Sequence, residues 1–115
     1  MKLRLFYDGF ERSTKVELLE EIFVGKFYIP RGFISDGGSI PRFFWRLFNP
    51  LDARYLKAYI QHDFIYATGI RERKDGDILL RKGLEKAQMN FLGRWAVYFS
   101  VRIFGSKHYK KFENF

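Results

Sequence analysis

With 115 residues, 47% of them apolar and 20% aromatic, the chain has the length of one domain, expected to span residues 1 to 115, and a composition that excludes intrinsic disorder. Its net charge of +8, from 21 Lys and Arg against 13 Asp and Glu, favours an anionic partner, whether nucleic acid, phospholipid headgroups or an acidic protein, and equally serves solubility. The absence of cysteine excludes disulfides and thiolate zinc sites, and two histidines, His62 and His108, are too few for a multi-histidine centre. No apolar run approaches the roughly 20 residues of a membrane span and residues 1 to 6 carry no secretory hydrophobic region, so a soluble chain is expected. The fourteen Phe and seven Tyr supply the volume of a small core or, in part, a partner surface.

Leu3, Leu5 and Tyr7 alternate with Lys2, Arg4 and Phe6, which reads as a short strand ending at the Asp8-Gly9 turn. Val16 to Val24 is ambiguous between strand and helical turn, because β-branched and aromatic ends flank Glu17-Leu18-Leu19-Glu20-Glu21. Lys26 to Ile29 reads as a strand running into Pro30-Arg31-Gly32, a turn that precedes the apolar pair Phe33-Ile34. The amino-terminal third is therefore expected to form a small antiparallel sheet.

Ser39 as N-cap and Pro41 in the first turn predict a helix to about Phe48, closed by Asn49-Pro50. Asp52 is placed to cap a second helix that runs to about Ala67 and stops at Thr68-Gly69. On it Tyr55, Tyr59, His62 and Tyr66 share one face, and Leu56, Ile60 and Asp63 share an adjoining one. A helix from about Lys74 to Met89 sets Asp77, Leu80, Arg81 and Leu84 along one side. A last one, Phe91 to Phe104, presents Leu92, Trp95, Ala96, Phe99 and Ile103 and closes at Gly105. The class is α+β, a small N-terminal sheet followed by a three- to four-helix C-terminal part.

Chemistry concentrates in the loop Gly32 to Pro41 and in His62-Asp63-Phe64-Ile65-Tyr66. His62 is the general-base candidate, since imidazole titrates near neutrality. Asp63 points roughly 100° away from it on a helix of 3.6 residues per turn, so the orienting carboxylate is sought elsewhere, in Asp77 across an antiparallel helix pair or in Asp36 from the loop. The alternative is a half-buried histidine that links two helices by hydrogen bonds. Asp63 has two readings: with the Gly37-Gly38 carbonyls it makes an oxygen cage suited to calcium or magnesium, or it locks the loop without an ion by accepting N–H bonds or pairing with Arg42 or Arg73. Ser39 as a nucleophile with His62 and Asp77 competes with its N-cap role, and the chain lacks the Gly-x-Ser-x-Gly elbow. Tyr66 either orients a carboxylate or fills the core, and Lys107, Lys110 and Lys111 form a basic tail that grips a phosphate backbone or is simply solvated. P-loop, dinucleotide, zincin and paired Cys-x-x-Cys patterns are missing.

Four ordered motifs carry a family resemblance: Ile29 to Pro41, His62-Asp63-Phe64-Ile65-Tyr66, Arg73 to Leu80 with Asp77, and Val101-Arg102-Ile103-Phe104-Gly105. They resemble the domain-of-unknown-function 1353 family, small proteins found largely in tailed phages and prophages. Ser35 stands for Thr in that pattern, Gly38 and Gly76 for Ala, and Leu80 for Phe. The resemblance implies a phage or prophage origin, residence in the host cytoplasm or on the virion, and leaves the activity open. A second likeness is to secreted calcium-dependent phospholipases. It implies calcium held by Gly37, Gly38 and Asp63, water activated by His62, and His62 oriented by Asp77.

The reading is therefore an accessory protein, virion-associated or host-interacting, whose cluster of Asp36, His62, Asp63, Tyr66, Arg73 and Asp77 fixes the glycine-rich loop. The alternative is a metal-assisted ester or phosphoester hydrolase with His62 as base.

Overall fold

A computed structural model describes residues 1–10, 13–35 and 52–110. The strands are β1 (Leu3–Asp8), β2 (Ser13–Leu18), β3 (Ile22–Val24), β4 (Phe27–Ile29) and β5 (Ile34–Ser35). The helices are α1 (Leu56–Thr68), α2 (Arg73–Lys86) and α3 (Phe91–Phe104), followed by a 3-10 turn, Ser106–His108. An N-terminal antiparallel sheet followed by helices makes the protein α+β. The helix expected between Ser39 and Phe48 lies outside the described residues.

β2 is the centre of a three-stranded sheet of order β1-β2-β5, with Leu3 opposite Leu18, Asp8 opposite Ser13 and Val16 opposite Ser35. The ambiguous stretch is therefore two strands, β2 and β3, separated by a bend at Leu19-Glu20. β3 and β4 form their own hairpin, joined through Gly25, whose φ of 61° is a left-handed conformation that glycine adopts without a Cβ penalty. Alternation turns Val16 and Leu18 inward, both 1% exposed. Leu5 and Tyr7 of the edge strand β1 stay exposed.

α1 is apolar on nearly every side because it lies between two hydrophobic clusters. Leu56 and Ile60 pack with Val16, Leu18, Ile22 and Ile29 of the strands, whereas Ala58 and Tyr59 pack with Leu80, Leu84, Val97 and Val101 of α2 and α3. Tyr59, His62 and Tyr66 share the buried face, with Tyr55 packed at its edge. Gly69, with φ 65°, closes the helix by donating its N–H to the Ile65 carbonyl. Asp52 does not cap α1: the N-cap position is Tyr55, and the Asp52 carboxylate instead accepts from the Arg54 backbone and guanidinium, one turn too early.

α2 ends at Lys86 rather than near Met89, because Gln88 takes a left-handed φ of 69° and Met89 returns its N–H to the Leu84 carbonyl. No glycine marks that stop. Asn90 then caps α3, its side chain accepting from the Gly93 N–H at 2.6 Å. α3 turns Gly93, Val97, Ser100 and Val101 inward. Leu92, Phe99 and Ile103 face outward, at 79%, 54% and 67% exposure. The smaller side chains of α3 are thus turned inward, and the bulky stripe is left outside.

Candidate functional site

The polar centre of the fold is Asp77, the fifth residue of α2, fully buried where α1, α2 and α3 meet. Burial of a carboxylate is costly unless every oxygen is engaged. Here Oδ1 accepts from His62 Nε2 at 2.7 Å and from the Tyr66 hydroxyl at 2.6 Å, both on α1, and Oδ2 accepts from Arg102 Nη1 on α3 at 2.8 Å. His62 and Tyr66 reach the same carboxylate because they stand one helical turn apart. Their rings are stacked at a tilt, with centroids 4.1 Å apart.

Arg73, one turn before Asp77, places Nη1 3.7 Å from Oδ2 and spends its hydrogen bonds on the Tyr66 hydroxyl and on the Val101 and Arg102 carbonyls. It thus satisfies carbonyls at the end of α3. It does not pair with Asp63. Gly105 completes this corner: a Cβ there would overlap the Val101 carbonyl and come within 2.8 Å of the Tyr66 hydroxyl.

On its other side His62 presents Nδ1 to Asp63 Oδ1 at 3.9 Å, ion-pair range but too long for a hydrogen bond. The carboxylate that holds the imidazole is thus Asp77, across the helix pair, while Asp63 stands beside the ring at ion-pair distance only. Asp63 also accepts the hydroxyl of Ser35, which ties β5 to α1. Ser35 is the last residue of β5, so this bond fastens the end of that strand to α1.

Electrostatics follow from these contacts. Burial by itself disfavours an imidazolium, but the carboxylates of Asp63 and Asp77 outweigh it and hold the His62 pKa above its ordinary value. For Asp77 burial acts upward, and the donors His62, Tyr66 and Arg102 reverse it, leaving its pKa below the ordinary value. The Tyr66 phenol is pushed up by burial and by the Asp77 charge, so it stays a donor.

The family model described as "Protein of unknown function (DUF1353)" matches residues 14–101. The chain belongs to the DUF1353 family. No curated protein and no solved structure matches it. Within this DUF1353 chain three of the four motifs meet at a single point, with His62 and Tyr66 from the second, Arg73 and Asp77 from the third, and Arg102 and Gly105 from the fourth. Ser35, from the middle of the first, reaches it by way of Asp63, the residue after His62.

Of the residues singled out by sequence, the structure brings His62, Asp63, Tyr66, Arg73 and Asp77 together. Asp36, Gly37, Gly38, Ser39, Arg42 and Lys111 lie outside the described residues. Lys107 and Lys110 are exposed and take no part in the cluster, although the Lys110 N–H donates to the Tyr66 carbonyl at 2.8 Å. Sequence reasoning missed Ser35 and Arg102 as members. Their signal was available, a hydroxyl residue where the pattern has Thr and an arginine inside the last motif.

General-base and metal chemistry make different demands on the cluster. A general base needs a lone pair within reach of a substrate proton. His62 is 2% exposed, with one ring nitrogen bonded to Asp77 and the other facing Asp63. For calcium or magnesium, no group of three or more His, Asp or Glu side chains among the described residues is arranged to hold an ion. Asp63, assigned to that role, accepts the Ser35 hydroxyl, and the Gly37 and Gly38 carbonyls assigned with it lie outside the described residues. No helix among the described residues is long and apolar enough to cross a membrane.

Proposed function

We propose that this DUF1353 chain is a small phage- or prophage-encoded accessory protein that acts by binding, in the host cytoplasm or on the virion, and that its His-Asp-Arg cluster is structural. The observation that carries this reading is the burial of His62 with both ring nitrogens turned to carboxylates. The Asp77 carboxylate joins α1, α2 and α3, and the Asp63 carboxylate ties β5 to α1.

The partner surface in this reading is the outer face of α3, where Leu92, Phe99 and Ile103 stand exposed at spacings of seven and four residues. α3 carries no acidic side chain; of its arginines Arg102 turns to Asp77 and Arg94 stands 3.9 Å from Glu85, while Arg81 lies 4.2 Å over the neighbouring Trp95 ring. The net charge of +8 disfavours pairing with a second copy, and an acidic protein with an apolar centre complements the face.

Thermal unfolding of His62→Ala beside a screen of ester and phosphoester hydrolysis tests the first part. A large loss of melting temperature and no wild-type turnover are expected; wild-type hydrolysis abolished by the substitution at unchanged melting temperature would overturn it. For the surface, Leu92→Glu/Phe99→Glu is expected to fold and to be lost from purified particles or the host protein that retains the wild type. Equal retention, or retention only by anionic vesicles or DNA, would remove an acidic protein from the reading.

A further inference from the structure

A concave site that includes no residue of the Asp77 cluster lies between the β3-β4 hairpin, α1 and α2. It is an open pocket of about 480 Å³, within the range of small-molecule sites. One face of α2 lines it with Asp75, Ile78, Leu79 and Lys82, which recur at three- and four-residue spacing. Gly25, Lys26 and Phe27 come from the hairpin, Gln61 from α1, and Arg71 from the α1-α2 connection.

Three cationic side chains, Lys26, Arg71 and Lys82, therefore face one carboxylate, Asp75. Among the described residues none of the three forms a salt bridge, and Arg71 instead lies 5.5 Å over the Phe27 ring. Unneutralised cations converging on a pocket raise the local concentration of anions. Behind them the walls are largely apolar, from Phe27, Ile78 and Leu79, with one buried amide, Gln61, anchored by its Nε2 to the Val24 carbonyl at 3.3 Å. An inorganic anion alone would leave those apolar walls without a partner.

We propose that this pocket binds a small phosphorylated compound that carries a planar ring, the chemical class of a nucleoside monophosphate. The cations take the phosphate as charge-assisted donors, the aromatic and aliphatic walls take the ring, and the Gln61 amide meets its polar edge. The pocket does not contain His62, so the inference is independent of the role given to the cluster.

Titration calorimetry with adenosine monophosphate, ribose 5-phosphate, adenosine and inorganic phosphate tests it. Saturable binding of the monophosphate is expected, at least about tenfold tighter than any of the three fragments. Arg71→Glu and Lys82→Glu are each expected to weaken it at least about tenfold at unchanged melting temperature, while Lys57→Glu, an exposed charge reversal outside the pocket, leaves it in place. Absence of binding at millimolar monophosphate would overturn the proposal. So would equal binding of inorganic phosphate, which denies a role to the walls, or equal loss in Lys57→Glu, which reduces the effect to net charge.

Discussion

His62 and Asp77 face each other across α1 and α2 with Nε2 2.7 Å from Oδ1, both buried, and Asp77 is in turn held by Arg102 of α3. One carboxylate thus joins three helices. Removing one partner of such a pair leaves charge in the interior without compensation, so Asp77→Ala is expected to cost about 3–5 kcal/mol in urea unfolding. His62→Ala should cost less, since Arg102 and Tyr66 still serve the carboxylate. A double-mutant cycle for the two should return a coupling of about 1 kcal/mol or more. A coupling near zero would dissolve the junction as an energetic unit.

The same contacts set a pH dependence. The folded pKa of His62 is raised from its ordinary 6.5, so its contribution is fully present below 6.5 and is lost as pH rises through the folded value. The folded pKa of Asp77 is lowered from 3.8, so its contribution is present above 3.8 and is lost as pH falls through the folded value. Stability should therefore be greatest between about pH 4 and 6.5 and decline toward alkaline pH, with the decline removed in His62→Gln. A wild-type melting temperature that climbs steadily from pH 6 to 9 would contradict this.

Two buried tyrosines on one face of α1 should respond oppositely to loss of the hydroxyl. Among the described residues the Tyr59 hydroxyl has no hydrogen-bond partner, so Tyr59→Phe relieves an unsatisfied polar group and is expected to be neutral or to stabilise by up to about 1 kcal/mol. Tyr66 donates to Asp77, and Tyr66→Phe should cost about 1–3 kcal/mol. Parallel chemical denaturation of the two variants checks the sign; destabilisation of equal size in both would show that the hydroxyl contacts do not decide it.

Gly105 is required for space rather than for handedness. Its φ of −83° is open to any residue, but a Cβ would collide with the Val101 carbonyl and crowd the Tyr66 hydroxyl. Gly105→Ala is expected to lose about 1–3 kcal/mol despite alanine's better helix propensity. A gain in melting temperature would mean that the α3 terminus shifts freely, and with it the Arg73 contacts to Val101 and Arg102.

The helices were legible where local signals agree. Thr68-Gly69 closes α1 as read, and α3 runs over the predicted residues. The end of α2 was not legible, because a glutamine adopts the left-handed turn there and nothing in its side chain announces it. Nor was the capping of α1, where Asp52 has the right chemistry one turn too early. Spacing placed His62 and Asp77 on inward faces, but it left Asp36 and Asp77 as equal candidates to hold the imidazole.

The class of the fold, the strand and helix order, and the motifs that mark family membership are all local properties of the chain, carried by periodicity and by turn residues within a few positions. Which face of α3 is buried is different, since both its faces are apolar and only packing against Leu80 and Leu84 selects the one lined by Gly93 and Val97. Arg102 and Ser35 join His62 through contacts that span 25 and 28 residues to Asp77 and Asp63. Such contacts depend on how helices and strands dock, a sum of many nonlocal burials that no short window of sequence contains, and they alone bring His62 of the His-Asp step to the buried junction of three helices at Asp77.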